Sequence, residues 1–299
     1  MPETCPPVLQ IRDLAKEFRR GKQPPFLALT DINATVEDCS GKGEFVCLVG
    51  PSGCGKSTLL QLIAGFDTHM PPTRGEVRFR GEPVTGPGAD RGMLFQDYGC
   101  YPHLSVLRNI SFGLELHAQR LGLSHSDIRD IAQTWLLKVR LREADANKYP
   151  NELSGGMRQR VALARCLALK PRCLLMDEPF SALDEPTRFG MQDLIVDLWS
   201  EIEATIVLVS HSVAEAVYLG DRVWLMSGAP GTIVAEFADI PKADPGTQAI
   251  VAQAGPRFAE YVREVSEAFQ KVLATPREAL RPVFADGHGK ALVVEASAR

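Results

Sequence analysis

The segment Gly50-Pro51-Ser52-Gly53-Cys54-Gly55-Lys56-Ser57-Thr58 fits the pattern G-x-x-x-x-G-K-[ST] of a loop that binds nucleotide phosphates. Its glycines let successive backbone amides approach an anion closely, and Lys56 adds a positive charge. Ser57 offers a hydroxyl to Mg²⁺, and a helix after the loop would direct its positive N-terminal end at the phosphates. Segment 44–49 predicts a short buried strand before the loop, and 59–64 predicts a helix after it. The sequence therefore predicts a nucleoside triphosphate site.

Two carboxylates end a second apolar strand further along the chain. Segment 173–177 predicts a buried strand that ends in Asp177, and Glu178 follows directly. Asp177 is placed to hold the Mg²⁺ shell, as the acidic residue at the end of such a strand does in P-loop NTPases. Glu178 would lie beside the γ-phosphate and accept a proton from the attacking water. Because two adjacent buried carboxylates repel each other, a purely structural role explains the pair poorly.

A glycine motif, Leu153-Ser154-Gly155-Gly156, precedes this strand. Alone it is a weak signal, since flexible turns have a similar composition. In combination and in this order, the motifs resemble the nucleotide-binding subunits of ATP-binding-cassette (ABC) transporters, over roughly residues 8–240. The resemblance implies that the nucleotide is ATP and that Mg²⁺ accompanies it.

The fold that the resemblance implies is α/β. It is a P-loop NTPase (RecA-like) three-layer core with an antiparallel β subdomain and an inserted helical subdomain, which falls at about 98–160. Alternating apolar and polar residues over 8 to about 48 and over 74–92 predict the antiparallel sheet. The helical subdomain would form the groove for a membrane subunit. Tyr98, Tyr101 and Leu104 either line that groove or belong to the core.

Residues 241–299 form a C-terminal extension to the nucleotide-binding domain of residues 8–240. Apolar residues at three- and four-residue spacing predict an amphipathic helix over 256–273. In the short tail beyond it, 291–294 suggest a strand. The sequence indicates no function for this tail.

The resemblance gives a role to further residues. Phe18 takes the place of the aromatic that stacks on adenine, and a plain core residue is the alternative. Gln96 matches the glutamine that touches Mg²⁺ and the attacking water, and His211 matches the histidine that contacts the γ-phosphate. Asp184 ends the loop 181–184 that crosses to the opposite subunit. The implied catalytic residues are Lys56, Gln96, Glu178 and His211, the metal ligands are Ser57, Gln96 and Asp177, and the nucleotide-binding residues are Phe18, Gly50, Pro51, Ser52, Gly53, Cys54, Gly55, Lys56, Ser57, Thr58, Ser154, Gly155, Gly156 and Asp184.

The glycine motif also implies a dimer. In the family, Ser154 and Gly156 would present a hydroxyl and an amide to the γ-phosphate bound on a second copy of the chain. A helix opening at Met157 would point its positive end at the same phosphate. The family usually has Gln where this chain has Met157, a change we interpret as tolerated. The implied partners are therefore the second copy, two integral membrane subunits and a periplasmic or extracellular binding protein.

The bulk properties of the 299-residue chain agree with this interpretation. The formal net charge of -4 argues against nucleic acid as the main partner, which would require a basic face. The 7 cysteines form no C-x-x-C pair and are expected to be free thiols in a reducing cytosol. No apolar run approaches the roughly 20 residues that cross a bilayer, and residues 1–4 do not open a signal peptide. We expect a soluble chain that acts peripherally on the cytoplasmic face of the cell membrane.

Local segments bear on the direction of transport and the solute. A chain without fused spans resembles importers more than exporters. Segments 86–92 and 229–234 resemble the nitrate, sulfonate and taurine branch, whereas 101–106 is more similar to sugar or polyamine importers. A soluble ABC ATPase of translation or DNA repair is the remaining alternative. It is disfavoured because the chain has one cassette and no sustained heptads.

Overall fold

Two long strands near the start of the chain pair with each other in an antiparallel sheet in the computed structural model. The structure describes residues 7–19, 21, 24–38, 43–238, 240, 242, 246–275 and 280. The strands are β1 (Pro7–Phe18), β2 (Phe26–Glu37), β3 (Phe45–Val49), β4 (Arg74–Phe79), β5 (Glu82–Pro83), β6 (Arg91–Leu94), β7 (Cys173–Asp177), β8 (Thr205–Ser210), β9 (Arg222–Met226) and β10 (Ile233–Phe237). The helices are α1 (Lys56–Ala64), α2 (Val106–Leu116), α3 (Ala118–Leu121), α4 (His125–Lys138), α5 (Gly155–Ala168), α6 (Glu185–Glu201), α7 (Val213–Leu219), α8 (Ala249–Gln253) and α9 (Pro256–Ala274).

The chain divides into two units, which are described separately. Unit 1 comprises residues 1–88 and 205–299, and unit 2 comprises residues 89–204. In unit 1, the antiparallel sheet has the order β2-β1-β4-β5. Leu9, Ile11 and Leu14 of β1 are buried in the core, whereas Gln10 is half-buried and Arg12 and Asp13 are exposed.

The second sheet region of unit 1 is mainly parallel. β3 lies between β8 and β9 and runs parallel to both, and β10 pairs antiparallel with β9. Every residue of β3 and β8 is buried, as expected of parallel strands covered on both faces. The sequence expectation of one antiparallel sheet over 8–48 and 74–92 is therefore wrong at its two ends. Residues 45–48 lie in the parallel strand β3, whose apolar run is continuous, and residues 91–92 lie in β6, which is parallel to β7.

Helix α9 of unit 1 begins at Pro256 and ends at Ala274, and it buries Val265, Ala268 and Val272. Helices α7 and α9 pack against each other. The strand suggested for 291–294 lies outside the described residues.

Unit 2 combines two parallel strands with packed helices. β6 pairs with β7, and α2 packs against α4 and α5.

Asn109 of α2 is fully buried, and its side chain bonds the backbone of the preceding loop: Nδ2 donates to Leu104 O at 2.9 Å, and Oδ1 accepts from Tyr101 N at 2.8 Å. Tyr98 and Leu104 are buried, whereas Tyr101 is half-buried with its ring centroid 4.6 Å from that of Phe112.

Candidate active site

The glycine loop of unit 1 connects β3 directly to α1. Gly53 and Gly55 have φ of 75° and 99°, in the left-handed region that favours glycine. A Cβ on Gly50 would lie 2.9 Å from Cys54 Sγ and from Met226 Cβ, and one on Gly55 would lie 2.6 Å from Leu29 Cδ2. The loop is therefore a closely packed cradle that side chains at these positions would fill.

Lys56 lies at the first position of α1 and is 4% exposed. Its ammonium donates to the carbonyl oxygens of Gly50 at 2.9 Å and Pro51 at 3.0 Å, so the loop itself holds the charge in place. Lys56 Nζ is 4.0 Å from Cys54 Sγ. Burial raises the pKa of the Cys54 thiol, which keeps this residue protonated inside the loop. Ser57 and Thr58 follow in the first turn and are half-buried.

A second glycine turn supports the phosphate loop from outside the motif. Gly231 N donates to Ala28 O at 2.9 Å, and Gly231 O accepts from Thr30 N at 3.0 Å. A Cβ on Gly231 would clash with the carbonyl oxygen of Cys54. The sequence of 229–234 resembles a family branch and does not predict this role. Backbone contact between segments far apart in sequence leaves no local pattern.

His211 follows β8 at the edge of the sheet where the phosphate loop begins. Ser210 is the register partner of Val49, so His211 and Gly50 are the residues that leave two paired parallel strands together. His211 is exposed. Unit 1 therefore brings the loop and the predicted γ-phosphate histidine to one edge.

Phe18 ends β1 with a half-buried ring that has polar neighbours. The ring of His69 meets it edge-on with centroids 5.2 Å apart, and Lys16 Nζ lies 5.3 Å from the Phe18 centroid. Lys16 Nζ also donates to Pro71 O at 2.9 Å. Burial, followed by the charge of Lys16, lowers the pKa of His69. The Phe18 ring is therefore half-buried beside two polar side chains, His69 and Lys16.

Unit 2 brings the predicted glutamine and both carboxylates to one edge. Leu94 is the register partner of Met176, so the segments with Gln96 and with Asp177 and Glu178 leave β6 and β7 together. Gln96 Nε2 donates to Ser181 Oγ at 3.3 Å, and Ser181 Oγ donates to Glu178 O at 3.0 Å. These two bonds connect the glutamine with the backbone of the carboxylate loop.

Glu178 has φ of 48°, a conformation that costs a non-glycine residue roughly 1–2 kcal/mol. Its side chain is half-buried, whereas Asp177 is buried at the end of β7. Strained conformations of this kind persist where the surrounding structure requires them, and they cluster at functional sites.

The glycine motif of unit 2 is the start of helix α5. Ser154 Oγ accepts from Met157 N at 3.3 Å and caps the helix. The expectation of a helix opening at Met157 is wrong by two residues. The helix begins at Gly155, because the Ser154 side chain satisfies a backbone amide of the first turn. A Cβ on Gly156 would lie 2.7 Å from Thr187 Cγ2, so a glycine permits close contact there.

Asp184 is exposed and precedes α6. A hydrogen bond from the Thr187 side chain holds the pKa of Asp184 below its ordinary value, so the carboxylate is ionised at neutral pH. Ser154 is also exposed. Both residues that the resemblance directs toward a second subunit are therefore accessible at helix starts.

Comparison with known sequences identifies the class of protein to which this chain belongs. A profile described as ABC transporter matches residues 29–181. The nitrate import ATP-binding protein NrtD of Synechocystis sp. is 45% identical over 86% of this chain and 93% of its own length. The taurine import ATP-binding protein TauB of Burkholderia pseudomallei is 46% identical over 71% of this chain and 76% of its own length.

Solved structures agree with the sequence comparison. A dimeric ATP-binding cassette in a post-hydrolysis state, bound to ADP and Pi, is 33% identical with a TM-score of 0.63, covering 73% of this chain and 93% of that one. A dimeric bacterial ABC transporter cassette is 31% identical with a TM-score of 0.66, and the match covers 77% of this chain and 98% of that one.

The chain belongs to the ABC transporter family, and within it the chain is an ATP-binding subunit, an ATPase whose hydrolysis is coupled to transport. The predicted α/β P-loop NTPase fold and the predicted likeness to the nitrate and taurine branch are confirmed. Within the described residues, no helix is long and apolar enough to cross a membrane.

Proposed function

We propose that this chain hydrolyses ATP to drive import of a small anionic or zwitterionic solute of the nitrate, sulfonate and taurine type. The nitrate and taurine import relatives support the solute class, and one structural observation carries the ATP hydrolysis. In each unit the motif residues leave paired parallel strands at the same edge: Gly50 with His211 in unit 1, and Gln96 with Asp177 in unit 2. Ligands of open α/β sheets bind at the carboxyl ends of such strands.

The motif residues divide the chemistry among them. Lys56 and the loop amides bind the phosphates, and His211 contacts the γ-phosphate. Glu178 accepts the proton of the attacking water on its carboxylate, and Gln96 orients that water. Phe18 stacks on adenine. The Phe18 ring is half-buried and has a buried cation near it, a setting that supports this role.

The donor set fits Mg²⁺. Ser57 offers a hydroxyl oxygen, Gln96 an amide oxygen and Asp177 a carboxylate oxygen, and Mg²⁺ prefers hard oxygen ligands together with substrate phosphates. When bound, the ion would neutralise part of the charge on the phosphates.

The active assembly is proposed to be a dimer on two membrane subunits. Ser154 and Gly156 would complete the site of the second copy, and Asp184 would cross to it. The exposed positions of Ser154 and Asp184 support this arrangement. The chain would lie on the cytoplasmic face of the cell membrane, and a periplasmic or extracellular binding protein would deliver the solute.

Growth of the source organism tests the solute class. A strain that lacks this chain is complemented with wild type or with Glu178→Gln and supplied with nitrate as sole nitrogen source, or with taurine or an alkanesulfonate as sole sulfur source. Wild type should restore growth on one of them, and Glu178→Gln should not. Growth on all three without the chain would contradict the proposal.

One specific observation favours a second class of solute. The loop 101–106 resembles sugar or polyamine importers, and Tyr101 in it packs on Phe112, with Arg165 Cζ 5.0 Å from its ring centroid. Uptake of a labelled sugar or polyamine that depends on this chain would support this alternative over the first.

A further inference from the structure

A buried hydrogen bond joins the strand before His211 to the helix after it. Ser210 Oγ donates to Glu215 Oε2 at 2.5 Å, and the two residues are 3% and 8% exposed. Charge-assisted bonds of this type are short and strong, because the acceptor is a carboxylate.

Two further bonds close the turn around His211. Ser212 N donates to Ser210 Oγ at 2.9 Å, and Glu215 N donates to Ser212 Oγ at 3.2 Å. Ser210, Ser212 and Glu215 thus form a connected set, hereafter the 210–215 clamp, with His211 between its first two members. The two bonds of Ser210 Oγ span the peptide units of His211, and the bond from Glu215 N to Ser212 Oγ caps the first turn of α7.

The clamp is fixed to the strand that leads into the phosphate loop. Ser210 pairs in register with Val49, the residue before Gly50, and α7, which carries Glu215, packs against β3. The position of His211 relative to the loop therefore depends on Ser210 at one end of the turn and on Glu215 at the other.

We propose that Glu215 is a positioning residue that, through Ser210, holds His211 at the γ-phosphate. This inference rests on the role of His211 proposed above. Glu215 is not expected to touch ATP. Its carboxylate orients the Ser210 hydroxyl, whose lone pair in turn accepts the Ser212 amide, so the backbone on both sides of His211 is fixed before ATP binds.

The test is a double-mutant cycle on ATP hydrolysis by the full-length chain. Variants are Glu215→Leu, Glu215→Gln, His211→Ala and His211→Ala with Glu215→Leu. Loss of one positioned donor to the transferred phosphate should lower kcat by roughly 10²–10³ in His211→Ala. Misplacement of the same group should cost up to about 10²-fold in Glu215→Leu. The KM for ATP should change little, because the loop itself is unaltered.

Three results separate positioning from general destabilisation. Glu215→Gln keeps an oxygen that accepts the Ser210 hydroxyl and should retain most of the kcat. In the His211→Ala background, Glu215→Leu should cost nothing further, because His211 is then absent. Glu115→Leu removes another serine–glutamate bond, from Ser111 Oγ to the exposed Glu115 Oε1 at 2.7 Å in α2, and should leave hydrolysis unchanged.

The opposite results overturn the inference in distinguishable ways. If His211→Ala is slow but Glu215→Leu is as fast as wild type, the clamp does not position His211 and the role of His211 stands. If the two substitutions are additive, or if Glu215→Gln is as slow as Glu215→Leu, Glu215 acts by another route. If His211→Ala hydrolyses ATP normally, both the role of His211 and the clamp are wrong. Ser210→Ala, with thermal unfolding as a check on folding, repeats the test should Glu215→Leu fold poorly.

Discussion

Gln159 Nε2 donates a hydrogen bond of 2.6 Å to the backbone oxygen of Pro179. Gln159 lies on α5, the helix that Ser154 caps, and Pro179 directly follows Asp177 and Glu178. Gln159 is fully buried. The bond therefore fixes the helix that would meet the second copy to the loop that holds the proposed general base, and both belong to unit 2.

Replacing Gln159 with Leu should weaken folding and hydrolysis together. The Pro179 oxygen would lose a partner in a buried setting, which costs roughly 1–3 kcal/mol of unfolding free energy. We expect kcat to fall about tenfold or more, since the Glu178 loop would lose its support. Denaturant unfolding and steady-state hydrolysis measure the two effects. Gln133→Leu changes an exposed glutamine of α4 and should affect neither. Wild-type turnover in Gln159→Leu would show that the bond does not serve the loop.

Glu178→Gln should lower the turnover number by roughly 10²–10⁴, the usual contribution of a general base. It should also retain ATP and accumulate as a dimer, because the bound nucleotide is no longer consumed. Turnover is measured by phosphate release, and the dimer by size-exclusion chromatography with Mg²⁺ and ATP. Turnover near that of wild type would remove Glu178 from the proposed role.

The left-handed backbone of Glu178 predicts a conflict between stability and activity. Glu178→Gly and Glu178→Ala both remove the carboxylate, but only glycine adopts φ of 48° without strain. Glu178→Gly should be more stable than Glu178→Ala by about 1 kcal/mol, and both should be inactive. Equal stability of the two variants in denaturant unfolding would mean that the residue is not strained.

Gly231→Ala should weaken ATP binding without changing any residue of the phosphate loop. The new methyl group would press on the Cys54 carbonyl and displace the loop. We expect the Kd for ATP to rise about tenfold or more, measured by calorimetry. Gly228→Ala is the matched control, because a Cβ there meets nothing within 4 Å. Unchanged affinity in Gly231→Ala would show that the loop is positioned independently of this turn.

The motifs predict the chemistry of the site, but they do not predict the contacts that support it. Residues 50–58, Asp177 and Glu178 were predicted because phosphate binding requires glycines, a cation and carboxylates in a fixed local order. Gln159, Gly231 and Glu215 were not predicted, because each acts through a contact with backbone or with a neighbour that has no motif of its own. The antiparallel assignment of 45–48 was wrong because a short apolar run does not show which sheet it joins.

Phe18→Ala should weaken binding of ATP but not of inorganic triphosphate. Stacking of a base on an aromatic ring contributes roughly 1–3 kcal/mol, which is about a fivefold to 150-fold change in Kd. Lys16→Met should give a smaller loss in the same direction, because the cation near the Phe18 ring is removed. Calorimetry with both ligands measures the effects. Equal losses for ATP and triphosphate would mean that Phe18 supports the fold rather than the base.

Asp145 should make folding sensitive to acid. Hydrogen bonds from Arg142 and then from Lys148 hold the pKa of this buried carboxyl well below its ordinary value. The resulting stability is present above the pKa of the unfolded chain, about 4, and is lost as pH falls through the folded-state value. The Tm of Asp145→Asn should therefore lie below that of wild type at neutral pH. The difference should shrink below about pH 4.

The control for this pH dependence is Asp130→Asn, which changes an exposed carboxylate of α4. Its Tm should follow that of wild type at every pH. A Tm difference between wild type and Asp145→Asn that does not change with pH would contradict the assignment of the acid-sensitive step to Asp145.

The central claim is that this ATPase drives transport through separate membrane subunits. The most direct measurement is purification of the tagged full-length chain from its own cells in mild detergent, with mass spectrometry of the proteins that accompany it. The account predicts a polytopic membrane protein in stoichiometric amount. Ribosomal or DNA-associated proteins, without any membrane protein, would contradict the importer role.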